Sequence, residues 1–100
     1  MLTLPIQRYW FDMIITGQKP EEYRDITPYY EVRFNRYNGR PFTLRYRAGY
    51  RANSPLLQCT ATVRQGVGRI EWGAVPGQQY FVLDLRDVQI IEAKKTGEER

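Results

Sequence analysis

Apolar and polar positions change period once along this chain, from helical to alternating. Ile6, Trp10, Met13 and Ile14 recur at i, i+4, i+7 and i+8, which is one face of a helix. Phe11 and Ile15 add an apolar flank, so this helix is expected to be covered on more than one side. Pro5 suits its start and Gly17 its C-terminal exit. Arg8 and Asp12, four apart on the opposite side, can pair. Met1 to Leu4 is short and apolar and reads as an edge strand or an anchored terminus. Thr27-Pro28 reads as the cap and first residue of a second short helix. That helix runs to about Phe34 and would bury Tyr29, Val32 and part of Tyr30.

Tyr37-Asn38-Gly39-Arg40-Pro41 is a turn cluster, and beyond it the period is two. Phe42, Leu44, Tyr46 and Ala48 alternate with Thr43, Arg45 and Arg47, a half-buried strand with its arginines outward. Gly49 to Pro55 is a polar loop carrying Tyr50 and Arg51. Leu57, Cys59, Ala61 and Val63 mark the inner face of a second strand, where Cys59 is a small core residue. Gln65 to Gln79 reads as a long glycine-rich loop holding Glu71 and Trp72. Tyr80 to Ile91 is apolar on both faces in part, which predicts a central strand. The fold class is therefore α+β: a small curved sheet or barrel with two short N-terminal helices. One domain is expected over 1–93, with a charged, disordered tail at 94–100.

Composition narrows the chemistry. One hundred residues with 42% hydrophobic positions can bury a single core. The chain has one cysteine and no histidine, so zinc sites of the Cys/His type and Ser-His-Asp or Cys-His catalysis are excluded. No cofactor is implied. No apolar run approaches a membrane span and the N-terminus lacks a signal-peptide pattern, so no membrane and a reducing cytoplasm are expected. The net charge of +4 conceals a sharper asymmetry. From Val32 to Ile70 there are eight arginines and no acid, with Tyr37, Tyr46 and Tyr50 among them. Arginine mixed with tyrosine suits phosphates and stacked bases.

The densest chemistry lies in Gly17-Gln18-Lys19-Pro20-Glu21-Glu22-Tyr23-Arg24-Asp25. Lys19 is the only lysine before the tail. Glu22 and Arg24 share a face of an extended chain, and Lys19 can reach Glu22 at a bend. Three roles fit. As a binding module, Lys19, Arg24, Arg45, Arg47 and Arg51 would hold phosphates or a base edge, and Tyr50 or Trp72 would stack on a base. As an enzyme, Glu22 or Glu71 would act as base, with Lys19 or Arg24 stabilising a phosphorane. As a structural device, the charges would pin the helix–strand junction.

The spacing Gly17-x-Lys19-x-x-Glu22-x-Arg24 after an N-terminal helix resembles the signature of the ASCH domain, a family with a PUA-like β-barrel fold. The later strands and the Glu71-Trp72-Gly73 loop resemble its small bacterial and phage members, over about Met1 to Ile91. The resemblance implies RNA or a nucleotide as partner, held in a cleft between the motif and the barrel face. Some members are ribonucleases. Others are amidohydrolases acting on acetylated cytidine, in which the residue matching Lys19 is a catalytic amine and a threonine nucleophile occupies the position of Glu22. This chain departs from those in carrying glutamate there, and a carboxylate nucleophile would give a labile mixed anhydride. Glu71 is the candidate for the distant carboxylate of that chemistry.

Overall fold

The computed structural model describes residues 1–92, so the tail expected at 94–100 lies outside the described residues. The elements are β1 (Leu2–Pro5), α1 (Arg8–Ile15), β2 (Glu21–Arg24), α2 (Pro28–Asn35), β3 (Phe42–Arg47), β4 (Leu56–Val67) and β5 (Gln79–Glu92). The strands form one sheet in the order β1-β3-β4-β5-β2. β1 runs parallel to β3, and all other pairs are antiparallel. The architecture is a curled half-barrel with two helices, in line with the α+β expectation.

The alternation read in β3 and β4 holds: Phe42, Leu44 and Tyr46 face the core, as do Leu57, Cys59 and Ala61. β5 is central, between β4 and β2, and Tyr80, Phe81, Val82 and Leu83 are all buried. Curl has a local cause. Gln58 pairs with Gln89 but Thr60 with Arg86, so β5 carries an extra residue there, next to Asp87 at φ 55°. A second slip lies between Leu56 and Leu57. Bulges of this kind bend a strand and raise its twist.

Three expectations are corrected. Pro5 does not start the helix; it ends β1, paired with Arg47, and α1 begins at Arg8. The strand pairing fixes the backbone there before a helix can form. Tyr29 and Val32 are not buried; they are 52% and 68% exposed, and α2 buries Phe34 and part of Tyr30 instead. The two stripes lie on different sides of a two-turn helix, and only one can meet the sheet. The glycine-rich loop is shorter than expected. Gly66 and Val67 continue the ladder opposite Tyr80 and Gln79, and a single helical turn spans Ile70–Trp72.

Thr27 caps α2 as expected, its hydroxyl accepting from the Tyr30 amide at 3.4 Å. Replacing Thr27 by Ala should cost about 1 kcal/mol. Phe34→Ala, at 1% exposure, should cost about 3–5 kcal/mol, while Val32→Ser should stay within about 0.5 kcal/mol. Urea denaturation of the three variants checks this order.

Candidate functional site

Gly17, at φ +82°, turns the chain out of α1, and the Lys19 amide then donates to the Met13 carbonyl. This reversal aims the Lys19 side chain inward, where the residue is 1% exposed. Its ammonium donates to the carbonyls of Glu21 and Trp72, both at 2.7 Å, and meets Glu22 Oε1 at 3.1 Å. Those three contacts use all three donors of an ammonium. The Trp10 and Tyr23 rings lie 5.2 and 4.8 Å from the nitrogen. Burial lowers the pKa of Lys19, and Glu22 acts in the opposite direction. A compact ammonium with three rotatable donors meets three acceptors around one point, which accounts for a lysine in an arginine-rich chain.

β2 places Glu22 and Arg24 on one face, opposite Leu83 and Phe81 of β5. Glu22 Oε2 accepts from Arg24 Nη2 at 2.9 Å, so each carboxylate oxygen has its own cation. The same Nη2 donates to the Pro5 carbonyl at 2.7 Å, and Nη1 donates to the Tyr30 hydroxyl at 3.1 Å. β1 and β2 are the two edges of the sheet. Arg24 therefore bridges the seam where the curl brings those edges together. Arg24 Nε and the hydroxyl of fully buried Tyr46 lack hydrogen-bond partners among the described residues.

A cleft of about 560 Å³ opens at this seam. Of the residues singled out from the sequence, Glu22, Arg24, Tyr50 and Trp72 line it. Lys19 does not; it holds the wall from behind, through Glu22 and the Trp72 carbonyl. The lining also omits Glu71, Arg45, Arg47 and Arg51. Glu71 pairs with Arg69 at 2.7 Å on the exposed turn, and its pKa is lowered by its own backbone amide and by Arg69. Arg45 donates to Gln58 Oε1 at 2.9 Å across β3 and β4. Arg47 donates to the carbonyls of Ala52 and Ser54 and so shapes the loop that carries Tyr50. Arg51 is exposed on that loop.

Sequence reasoning did not single out Trp10, Tyr23, Tyr30 or Tyr80 for this site, yet all four line the cleft. Trp10 was legible only as a helix-face residue. Its indole packs on Gly73, where an added Cβ would come within 3.0 Å of the ring. Gly68 is equally constrained: a Cβ there would fall 2.6 Å from the Tyr23 ring. Tyr23 donates to Glu21 Oε1 at 2.7 Å and accepts from the Arg69 amide at 3.0 Å, tying β2 to the β4–β5 loop. The charged lining groups are Arg8 and Arg24 against Glu22 and Asp25, so the cleft itself is balanced, not strongly basic. Among the described residues no group of three or more His, Cys, Asp or Glu side chains is placed to hold a metal ion. No helix among them is long and apolar enough to cross a membrane.

Comparison with protein-family models, with curated proteins and with solved structures finds no match for this chain.

Two outcomes follow from the geometry. Lys19→Met leaves the part-buried carbonyls of Glu21 and Trp72 without their donor and removes one cation from Glu22, so it should lower stability by about 3 kcal/mol. Lys19→Arg should not restore it; thermal denaturation reads both. The second concerns Tyr23, whose pKa burial pushes up to about 12, the Arg69 amide acting against the rise and Glu21 with it. The folded state holds this proton more tightly than the unfolded chain, which releases it near pH 10. The Tyr23 contribution is thus intact below about pH 10 and is lost as pH rises towards about 12. Tyr23→Phe should flatten that part of the alkaline stability profile, measured by urea midpoint against pH.

Proposed function

We propose that this chain is an ASCH-type module with a PUA-like fold that binds RNA or a nucleotide in the seam cleft. The observation that carries the reading is the cleft itself: aromatic rings from α1, β2, α2, the β3–β4 loop and the β4–β5 loop surround the Glu22 carboxylate and the Arg24 guanidinium, with Arg8 and Asp25 also in the lining. A base inserted there can stack on Trp72, Trp10 or Tyr50 and meet fixed polar groups at the floor. Its volume of about 560 Å³ lies in the range of small-molecule sites and admits a nucleotide but no duplex. Tyr50, 92% exposed at the rim, is available to close over a ligand, and exposed Arg51 follows it on the same loop.

The hydrolase alternative asks Lys19 to act as a free amine in an amidohydrolase, or asks Lys19 or Arg24 to stabilise a phosphorane in a ribonuclease. All three donors of Lys19 are committed, and the ring faces of Trp10 and Tyr23 favour the cation even as burial lowers its pKa. Both oxygens of Glu22 are engaged by cations, so taking a proton would disturb one of those contacts. Glu71 stands apart from the cleft. Binding is therefore the reading the geometry favours.

The two tryptophans of the chain, Trp10 and Trp72, both line the cleft, so intrinsic fluorescence reports on it directly. A short single-stranded RNA should quench this emission, with affinity falling as salt rises by a log–log slope of about −0.7 per phosphate neutralised. Trp72→Ala should weaken binding about tenfold or more, in keeping with about 1–3 kcal/mol for one stacked base. Absence of any quenching at low salt overturns the reading.

A further inference from the structure

Glu22 is the group at the cleft floor whose partner in a ligand is most narrowly defined by its geometry. Its side chain is 9% exposed and lines the cleft, while Lys19 and Arg24 each hold one of its oxygens. A carboxylate carries about four lone-pair sites on its two oxygens. Each oxygen of Glu22 therefore keeps acceptor capacity beyond its cation. A phosphate cannot use that capacity, because two anions repel at contact. A ligand that reaches the floor must bring N–H or O–H donors.

The carboxylate is also held in place. Lys19 is fixed by the Glu21 and Trp72 carbonyls, and Arg24 by the Pro5 carbonyl and the Tyr30 hydroxyl. The oxygens cannot swing to suit different donor patterns, so the ligand must match them. Two oxygens side by side are best met by two parallel N–H bonds, as in a bidentate guanidinium–carboxylate pair. Among the four RNA bases only guanine carries two adjacent donors on one edge, the N1–H and the N2 amino group. Adenine and cytosine set one amino group beside an acceptor nitrogen. Uracil sets one N–H between two carbonyls that a carboxylate repels.

We propose that the cleft selects guanine, with the oxygens of Glu22 accepting from N1–H and the N2 amino group while an aromatic wall stacks on the purine. This rests on the nucleotide-binding reading above. No covalent step is involved. Purine rings also offer the larger face to Trp10 and Trp72, but stacking alone would not separate guanine from adenine.

The test is tryptophan quenching of the wild-type protein by the monophosphates of guanosine, adenosine, cytidine, uridine and inosine. Guanosine monophosphate should bind about tenfold more tightly than the other three RNA nucleotides, a typical discrimination for a bidentate contact. Inosine lacks the N2 amino group and should be several-fold weaker than guanosine. Equal affinities, or another base in first place, overturn the guanine assignment and leave nucleotide binding standing. Inosine equal to guanosine overturns the two-donor contact. No quenching by any of the five overturns the guanine assignment, and the binding reading falls with it only when short single-stranded RNA also fails to quench. In a folded Glu22→Gln variant, verified by circular dichroism, one acceptor becomes a donor and the guanosine advantage should vanish; its persistence overturns the assignment. The inosine comparison needs no variant and decides the matter even where Glu22→Gln fails to fold.

Discussion

Two cations and one anion share the interior at the seam, and the excess positive charge governs what surrounds them. Lys19 and Arg24 flank Glu22, leaving one unit of charge that the carboxylate does not cancel. Removing such a charge from water costs several kcal/mol unless dipoles replace the solvent. Here the dipoles are the carbonyls of Glu21, Trp72 and Pro5 and the faces of four rings, Trp10, Tyr23, Tyr30 and Tyr46. These seven groups come from six parts of the chain, Glu21 and Tyr23 sharing β2. The charge cluster thus specifies how β1, α1, β2, α2, β3 and the β4–β5 turn must meet. It is a stronger constraint on geometry than on net stability.

The same requirement builds the cleft. Rings recruited to solvate the cations leave a second face or edge for something else. Trp10 contacts Lys19 and Gly73 and still lines the cavity; Tyr23 contacts Lys19, Glu21 and the Arg69 amide and does likewise. The floor and walls are therefore one bonded unit, and the cavity is formed before any ligand arrives. The rim differs. Tyr50 projects from a loop held through Arg47 to the carbonyls of Ala52 and Ser54. A rigid floor and a projecting rim divide recognition between hydrogen-bond pattern below and contact area above.

Much of the frame was legible in the sequence, for local reasons. Thr27-Pro28 marked a helix start because cap chemistry is read from two residues, and Gly17 marked an exit because its φ of +82° suits glycine. Alternation gave β3 and the inner face of β4 because one face of the sheet is buried there. The errors share a cause. Pro5, the Tyr29/Val32 stripe and the Gly66-Val67 stretch were each decided by a distant strand or by packing that no local window contains. For the site, the odd lysine and the spacing of Glu22 and Arg24 were visible. That Lys19 would be walled in, and that the eight-arginine block would send none of Arg45, Arg47 and Arg51 into the cleft, was not. Strand alternation gives the face of a side chain, not which end of a curled sheet it overlooks.

The seam has a bearing on solubility. An open five-stranded sheet has two rails of backbone amides and carbonyls that could template another chain. In this fold the two outermost strands are only four residues each, one ending in proline, and Arg24 of one donates to the Pro5 carbonyl of the other. An incoming strand would have to displace Arg24 from Pro5 before it could add to either rail there. One side chain in this way blocks strand addition at the seam itself, while Thr62–Val67 of β4 runs on past the end of β3.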